Sequence, residues 1–417
     1  MASIEKRGNN SYRITVTNGT DYTGKKDKKR KSITLDPGMT PKQIEKELQR
    51  QATLFEDEVK NGTYLDTGKI TFKEFIDRWV IDYAEKQLEP KKLHCYKIML
   101  NNRIIPTLGH LKLDRIQPNH LIEFYNNLAE PGIRQDGKGD TLSEPTIQKY
   151  HRIISSILQD AMQWQLIISN PASRVKPPKV RKKEAGTFDE EKTALLLETL
   201  ESEQLKYKVL VLLGTVTGLR RGELVALKWE NVDLKNCIID VRYSAQYVPG
   251  KGVSIKEPKT KSSLRKIAIP SSVKDLLKSY KQFQSQERLE SGDQWKGDDW
   301  VFTQLNGEIM HPDTPTKWFK KFLEDYNEKV HSDKNIPKNQ KEKYLLPVIK
   351  FHCLRHTAAT LLIHKGLNVR AVSSRLGHAN TSTTMNIYAH ALQTADKQAT
   401  DMMESILTPK KKMSKKA

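Results

Sequence analysis

Four short stretches of the chain concentrate side chains able to handle a phosphate group: 217–223, the lysine at 259, 352–356 and 376–388. In Thr217-Gly-Leu-Arg-Arg-Gly-Glu223, adjacent arginines follow a glycine turn between two helical patterns. An arginine at a helix start works against the macrodipole, which favours anions there, so Arg220 or Arg221 points to an anionic ligand nearby. Phe351-His-Cys-Leu-Arg-His-Thr357 sets His352 and His356 one helical turn apart, with Arg355 between them. That spacing imitates a zinc-binding HExxH helix, but the acidic general base is absent and Arg355 would repel a dication, so no metal is expected. Leu376-Gly-His378 is a turn carrying a histidine, and Tyr388 follows in Thr383-Thr-Met-Asn-Ile-Tyr-Ala-His390. As a set, arginines, a lysine, histidines and a tyrosine suit phosphoryl transfer without metal. Arginine forks pair with non-bridging phosphate oxygens. A lysine or histidine supplies a proton, and a hydroxyl serves as nucleophile.

A rival phosphate motif is dismissed on context. Gly132-Ile-Arg-Gln-Asp-Gly137-Lys138 begins like a nucleotide-binding loop, but Gly139 stands where Ser or Thr is required and no strand precedes it. It reads as a flexible loop, and no nucleotide or other cofactor is expected.

The elements that must position these groups follow from periodicity and caps. Residues 11–17 alternate, with Tyr12, Ile14 and Val16 on one face, and 31–35 do the same with Ile33 and Leu35; a turn and a basic run lie between. A helix then opens at Thr40-Pro41 with Gln43 completing a capping box, places Ile44, Leu48, Phe55 and Val59 on one face, and stops at Asn61-Gly62. This predicts a small sheet-plus-helix module over 1–65. A second capping box, Thr71 to Glu74, opens four helical patterns over 70–170, broken at Pro106, the glycine-rich 131–140 stretch and Asn170-Pro171. Residues 171–186, rich in Pro and Lys, read as an extended cationic linker. The largest unit, 187–407, opens at Thr187. It has helical patterns over 188–230, strand alternation at 237–243, 252–256 and 264–269, and helices from 271. Lysine-rich 285–298 and 327–343 read as surface loops, 391–407 as an amphipathic helix, and 408–417 as a basic tail. The fold class is α+β, mainly helical.

The chain has 417 residues and a formal net charge of +21, spread along its length, which calls for a polyanionic partner, nucleic acid first. Three distant cysteines, Cys95, Cys237 and Cys353, imply neither a disulfide framework nor a zinc ribbon. The start MASIEKRGNN has no apolar signal core and no apolar run approaches membrane-spanning length, so a cytoplasmic protein with no membrane partner is expected.

TGLRRGEL, PKTKSSLRKIAIP, HCLRH, LGH and NIYAH, in this order and spacing, resemble the tyrosine recombinases, in particular phage and conjugative-element integrases. The resemblance spans nearly the whole chain. It implies an arm-site DNA-binding module (1–65), a helical core-site DNA-binding domain (70–170) and a mixed α/β catalytic domain (187–407). It also implies that Arg220 and Arg355 clamp the phosphate, that Lys259 is the general acid for the leaving 5′ oxygen, and that His352 helps the tyrosine proton leave. By the same likeness His378 donates to the phosphate, Tyr388 is the nucleophile of a 3′-phosphotyrosyl link, Glu223 supports the first arginine and His356 is structural. The implied activity is integration and excision of a mobile element or phage genome in a bacterial host, by a homotetramer on double-stranded DNA. An excisionase and a DNA-bending host protein are further partners the likeness suggests. No ATP is expected, because the phosphotyrosine retains the energy of the broken diester. A type IB topoisomerase shares this residue set. The N-terminal module and the segment beyond Tyr388 favour the integrase, and the intact set argues against a purely architectural DNA-binding protein.

Overall fold

The computed structural model describes residues 2–20, 24, 26–60, 70–134, 137, 141–180, 186–257 and 264–377, together with 400, 403, 404 and 407. The chain divides into two units, Met1–Lys182 and Lys183–Ala417.

The first unit opens with a three-stranded antiparallel sheet in the order β1 (Ser3–Lys6), β2 (Ser11–Thr20), β3 (Lys26–Thr34). Alternation along β2 buries Ile14 and Val16 against Ala52, Phe55 and Val59 of helix Pro41–Lys60. The Gln43 side chain accepts the Thr40 backbone N–H at 2.9 Å, one arm of the expected capping box. Two expectations are corrected. The basic run does not lie between the strands: it is the first half of β3, where charged side chains on an edge strand discourage pairing with another sheet. β1 escaped notice because all four of its residues are exposed and carry no alternation.

Both arms of the second capping box are present, Glu74 N–H donating to Thr71 Oγ1 at 3.2 Å and Thr71 N–H to Glu74 Oε2 at 2.8 Å. Helix Phe72–Trp79 follows, and Phe72, Phe75, Ile76 and Trp79 enter a core shared with Pro118–Leu128 and Glu144–Gln163. Trp79 Nε1 donates to Asp160 Oδ2 at 2.6 Å, tying the first helix to the last. Pro106 does not break its helix. A π turn over Leu100–Ile104 precedes it, and Ile105–Leu108 continues beyond. The widened turn makes room where a proline ring would otherwise strike a preceding carbonyl. The last helix ends at Gln163 rather than 168, and Gln165 takes a left-handed φ of 56°. Part of the stretch read as linker is packed: Ala172 and Val175, around the turn Pro171–Arg174, belong to the helical core.

In the second unit Asp189 caps helix Glu190–Thr199, accepting from Lys192 N–H at 2.7 Å. Helix Leu205–Thr217 is apolar on most sides and runs through the core, burying Val209, Leu210, Val211 and Leu213. After the short helix Arg221–Val225 come β4 (Val232–Asp233), β5 (Ile238–Val241) and β8 (Arg265–Ala268), antiparallel in the order β4-β5-β8. β6 (Ser244–Val248) and β7 (Gly252–Lys256) form a separate hairpin; β6 lies between the strands expected at 237–243 and 252–256, in a stretch where no strand was expected. Helices Ser271–Ser291, Thr314–Ser332, Cys353–His364 and Val369–Leu376 complete the described part. The loops expected at 285–298 and 327–343 begin as helix, the first to Ser291 and the second to Ser332, and irregular chain is confined to their later parts. Lys, Gln, Glu and Arg are good helix formers, so sparse apolar content there marked exposure rather than irregular chain. Among the described residues no helix is long and apolar enough to cross a membrane.

Candidate active site

The site grows from two glycine turns. Gly218 ends helix Leu205–Thr217 with φ 64°, and a Cβ there would lie 2.4 Å from Leu376 Cδ2. Gly377 ends helix Val369–Leu376 with φ 70°. Each turn presents a carbonyl to an arginine. Arg355 Nη1 donates to Gly218 O at 2.8 Å, and Arg220 Nη2 donates to Gly377 O at 2.8 Å. Gly214 faces the helix bearing Arg355, where a Cβ would meet Leu354 and Phe351 at 3.4 Å, an ordinary van der Waals contact.

Arg220 caps its own helix through Glu223. Its backbone N–H donates to Glu223 Oε2 at 2.9 Å and its Nη1 to Oε1 at 2.7 Å. The Arg220 side chain is 37% exposed, whereas Arg355 is only 3% exposed. Arg221 turns elsewhere, donating to Thr316 Oγ1 at 3.0 Å and pairing with Asp313 at 2.9 Å. Of the adjacent arginines, Arg220 alone joins the two turns.

Glu223 is buried, with its side chain 4% exposed. Burial alone would raise its carboxyl, but hydrogen bonding and charge from Arg265, with further help from Arg220, outweigh it and hold the group below the usual carboxylate range. Arg265 Nη2 donates to Glu223 Oε2 at 2.8 Å and Nη1 to Oε1 at 3.3 Å, while its Nε donates to Arg375 O at 2.8 Å. Arg375 in turn donates to Val216 O at 3.2 Å and Ala268 O at 3.0 Å, pinning its helix to the ends of helix Leu205–Thr217 and β8. Neither Arg265 nor Arg375 was singled out by the sequence reading. The available signal was Arg265 within PKTKSSLRKIAIP, five residues before Pro270.

His352 precedes helix Cys353–His364, and its ring meets His356 edge-on, centroids 5.3 Å apart at 89°. Loss of water from its inner side, then the neighbouring His356, Arg355, Arg220 and Arg221, push its pKa down to about 4, although the residue keeps an exposed edge. His356 is lowered too, by burial and then Arg355. Both imidazoles are therefore neutral at pH 7, and a neutral imidazole can accept a proton.

The structure thus gathers Arg220, Glu223, His352, Arg355 and His356. Lys259, His378 and Tyr388 lie outside the described residues, as does most of the 391–407 helix expectation. Lys259 belongs to the segment between β7 and β8, and His378 directly follows Gly377.

Two family models match: the phage integrase family over residues 187–395, and the phage integrase N-terminal SAM-like domain over 71–129. A tyrosine recombinase XerC-like protein of Caldanaerobacter subterraneus subsp. tengcongensis is 28% identical, covering 96% of this chain and 97% of that relative. The ICEBs1 integrase of Bacillus subtilis is 25% identical, covering 97% of this chain and 100% of that relative. In fold, the chain is similar to a Tn1549 transposon integrase solved with a circular intermediate DNA, with a TM-score of 0.62 and 20% identity over 79% of this chain and 100% of that one.

Proposed function

Because this chain belongs to the phage integrase family of DNA strand-breaking and rejoining enzymes, we propose that Arg220 and Arg355 clamp its scissile phosphate and Tyr388 attacks it. The enzyme carries out site-specific recombination of mobile elements. The observation that carries the residue assignment is the convergence of Arg220 and Arg355 on the carbonyls of Gly377 and Gly218, beside the neutral His352.

In this reading Arg220 and Arg355 pair with the non-bridging oxygens and stabilise the extra negative charge of the transition state. The Tyr388 hydroxyl, mostly neutral at pH 7, gives its proton toward His352 as its oxygen bonds to phosphorus. The bond from phosphorus to the 5′ oxygen breaks, Lys259 protonates that oxygen, and a 3′-phosphotyrosine remains. His378 donates to a phosphate oxygen, and Glu223 and His356 support the clamp. Rejoining reverses these steps with a new 5′ hydroxyl, so no nucleotide is consumed.

Residues 70–170 hold core-type sites and 1–65 hold arm-type sites. Lys26, Lys28 and Arg30 occupy the exposed alternate positions of β3 and support the second assignment. Exchange between two duplexes cuts four strands, one tyrosine for each, which supports a homotetramer on DNA. An excisionase and a DNA-bending host protein are proposed on family grounds alone, with action in the bacterial cytoplasm.

The test is a plasmid carrying two copies of the element's attachment site, incubated with full-length protein and EDTA, without ATP. Recombinant products are expected from two sites, and none from one. Relaxation of single-site supercoils without any recombinant would instead indicate a topoisomerase.

A further inference from the structure

We propose that Arg265 is a positioning residue for strand cleavage: by gripping Glu223 and the Arg375 carbonyl together, it leaves Arg220 free to engage the phosphate and fixes the turn that leads to His378. The inference rests on Arg220 being a phosphate clamp.

The geometry gives Arg265 a different task from Arg220. Its side chain is 7% exposed, against 37% for Arg220, and its guanidinium is directed at Glu223 and the Arg375 carbonyl. Its Nη atoms meet both oxygens of Glu223 at 2.8 and 3.3 Å, and its Nε meets Arg375 O at 2.8 Å. No lysine could make these contacts together, because an ammonium lacks the planar fork that reaches a carboxylate and a carbonyl at once. A Cβ on Gly377 would lie 3.0 Å from Arg265 Nη1 and 3.2 Å from its Cδ, so the turn and the guanidinium are fitted to each other.

Charge explains why a second arginine is needed. Arg220 and Glu223 alone would sum to zero, a closed ion pair with little pull on a phosphate. With Arg265 the three groups carry one net positive charge. Glu223 is satisfied from behind by a buried partner, and the charge that remains sits on the exposed Arg220. Without Arg265, the carboxylate would have only Arg220 and would draw it inward. The same loss would release Arg375 O, one of the ties on the Gly377 turn beside the Arg220 bond to Gly377 O.

The test is single-turnover cleavage of a nicked core-site substrate by full-length Arg220→Ala, Arg265→Gln, Arg265→Lys and the Arg220→Ala/Arg265→Gln double variant. Core-site binding and thermal melting are measured alongside. Arg265→Gln is expected to lose about 100-fold, the order for losing one preorganised donor, while still binding DNA. Because it acts mainly through Arg220, the double variant should lose far less than the product of the two single losses. On a methylphosphonate substrate, where a methyl replaces one charged oxygen, the Arg265→Gln deficit should narrow as the Arg220→Ala deficit does. A merely structural role would leave that deficit unchanged. Should the Gln variant not fold, Arg265→Lys carries the test, with roughly a tenfold loss and the same non-additivity. Wild-type rates for a folded Arg265 variant, multiplying losses in the double variant, or an unchanged methylphosphonate deficit would each overturn the proposal. Wild-type cleavage by Arg220→Ala would instead overturn the clamp assignment beneath it.

Discussion

At the scale of single residues, the proposed acceptor of the tyrosine proton, His352, sits in a cationic site that keeps it neutral. Partial burial and nearby positive charge lower its pKa to about 4, so it is uncharged at pH 7. A phosphate between the arginines would cancel part of that positive charge and make the imidazole more basic when a proton must be taken. In the DNA-free protein the same shift affects stability. The folded pKa lies below the unfolded value of about 6.5, so the unfolded chain binds the proton first as pH falls. This contribution is complete above pH 6.5 and is lost as pH falls toward 4. Denaturant titrations between pH 7 and 4 should therefore show stability falling in the wild type, with a flatter fall in His352→Gln. The slope should not vanish, because His356 is lowered as well. Identical slopes would mean that His352 is not held neutral by its neighbours.

At the scale of elements, the arginines are aimed by turns rather than by long helices. Gly218 carries most of this burden: it needs a left-handed φ, abuts Leu376, and offers its carbonyl to Arg355. Gly218→Ala is expected to cost roughly 1–3 kcal/mol of stability and to slow cleavage, measured by denaturation and single-turnover kinetics. Unchanged values for both would contradict the turn's role. Much of this was legible locally. The capping box at Thr71–Glu74 and the amphipathic face of helix Pro41–Lys60 are written within a few residues. So was the cluster of Arg220, His352 and Arg355, because motif order carries it. What was not legible depends on distance along the chain. Arg265 meets Glu223 across 42 residues, and Arg220 meets Gly377 across 157, separations that no periodicity encodes. The ends of the helices that close at Ser291 and Ser332 were read as loop for the opposite reason: their propensity is strong, but the apolar pattern that advertises a helix thins out there.

At the scale of the whole molecule, a net charge of +21 and two structural units suit a protein that takes hold of DNA in more than one place. The family match over 187–395 and the helical match over 71–129 place strand chemistry and a SAM-like helical domain in one chain. The proposed division of labour assigns breakage to one tyrosine, and every other part serves its delivery. The central claim is thus that Tyr388 forms the covalent link to DNA. Its most direct test is a core-site substrate nicked beside the scissile phosphate, which lets a short fragment escape and traps the protein on the 3′ end. Denaturing gels should show a covalent adduct with the wild type and none with Tyr388→Phe, which lacks only the attacking hydroxyl and should bind the same DNA. An adduct that persists in Tyr388→Phe would contradict the account.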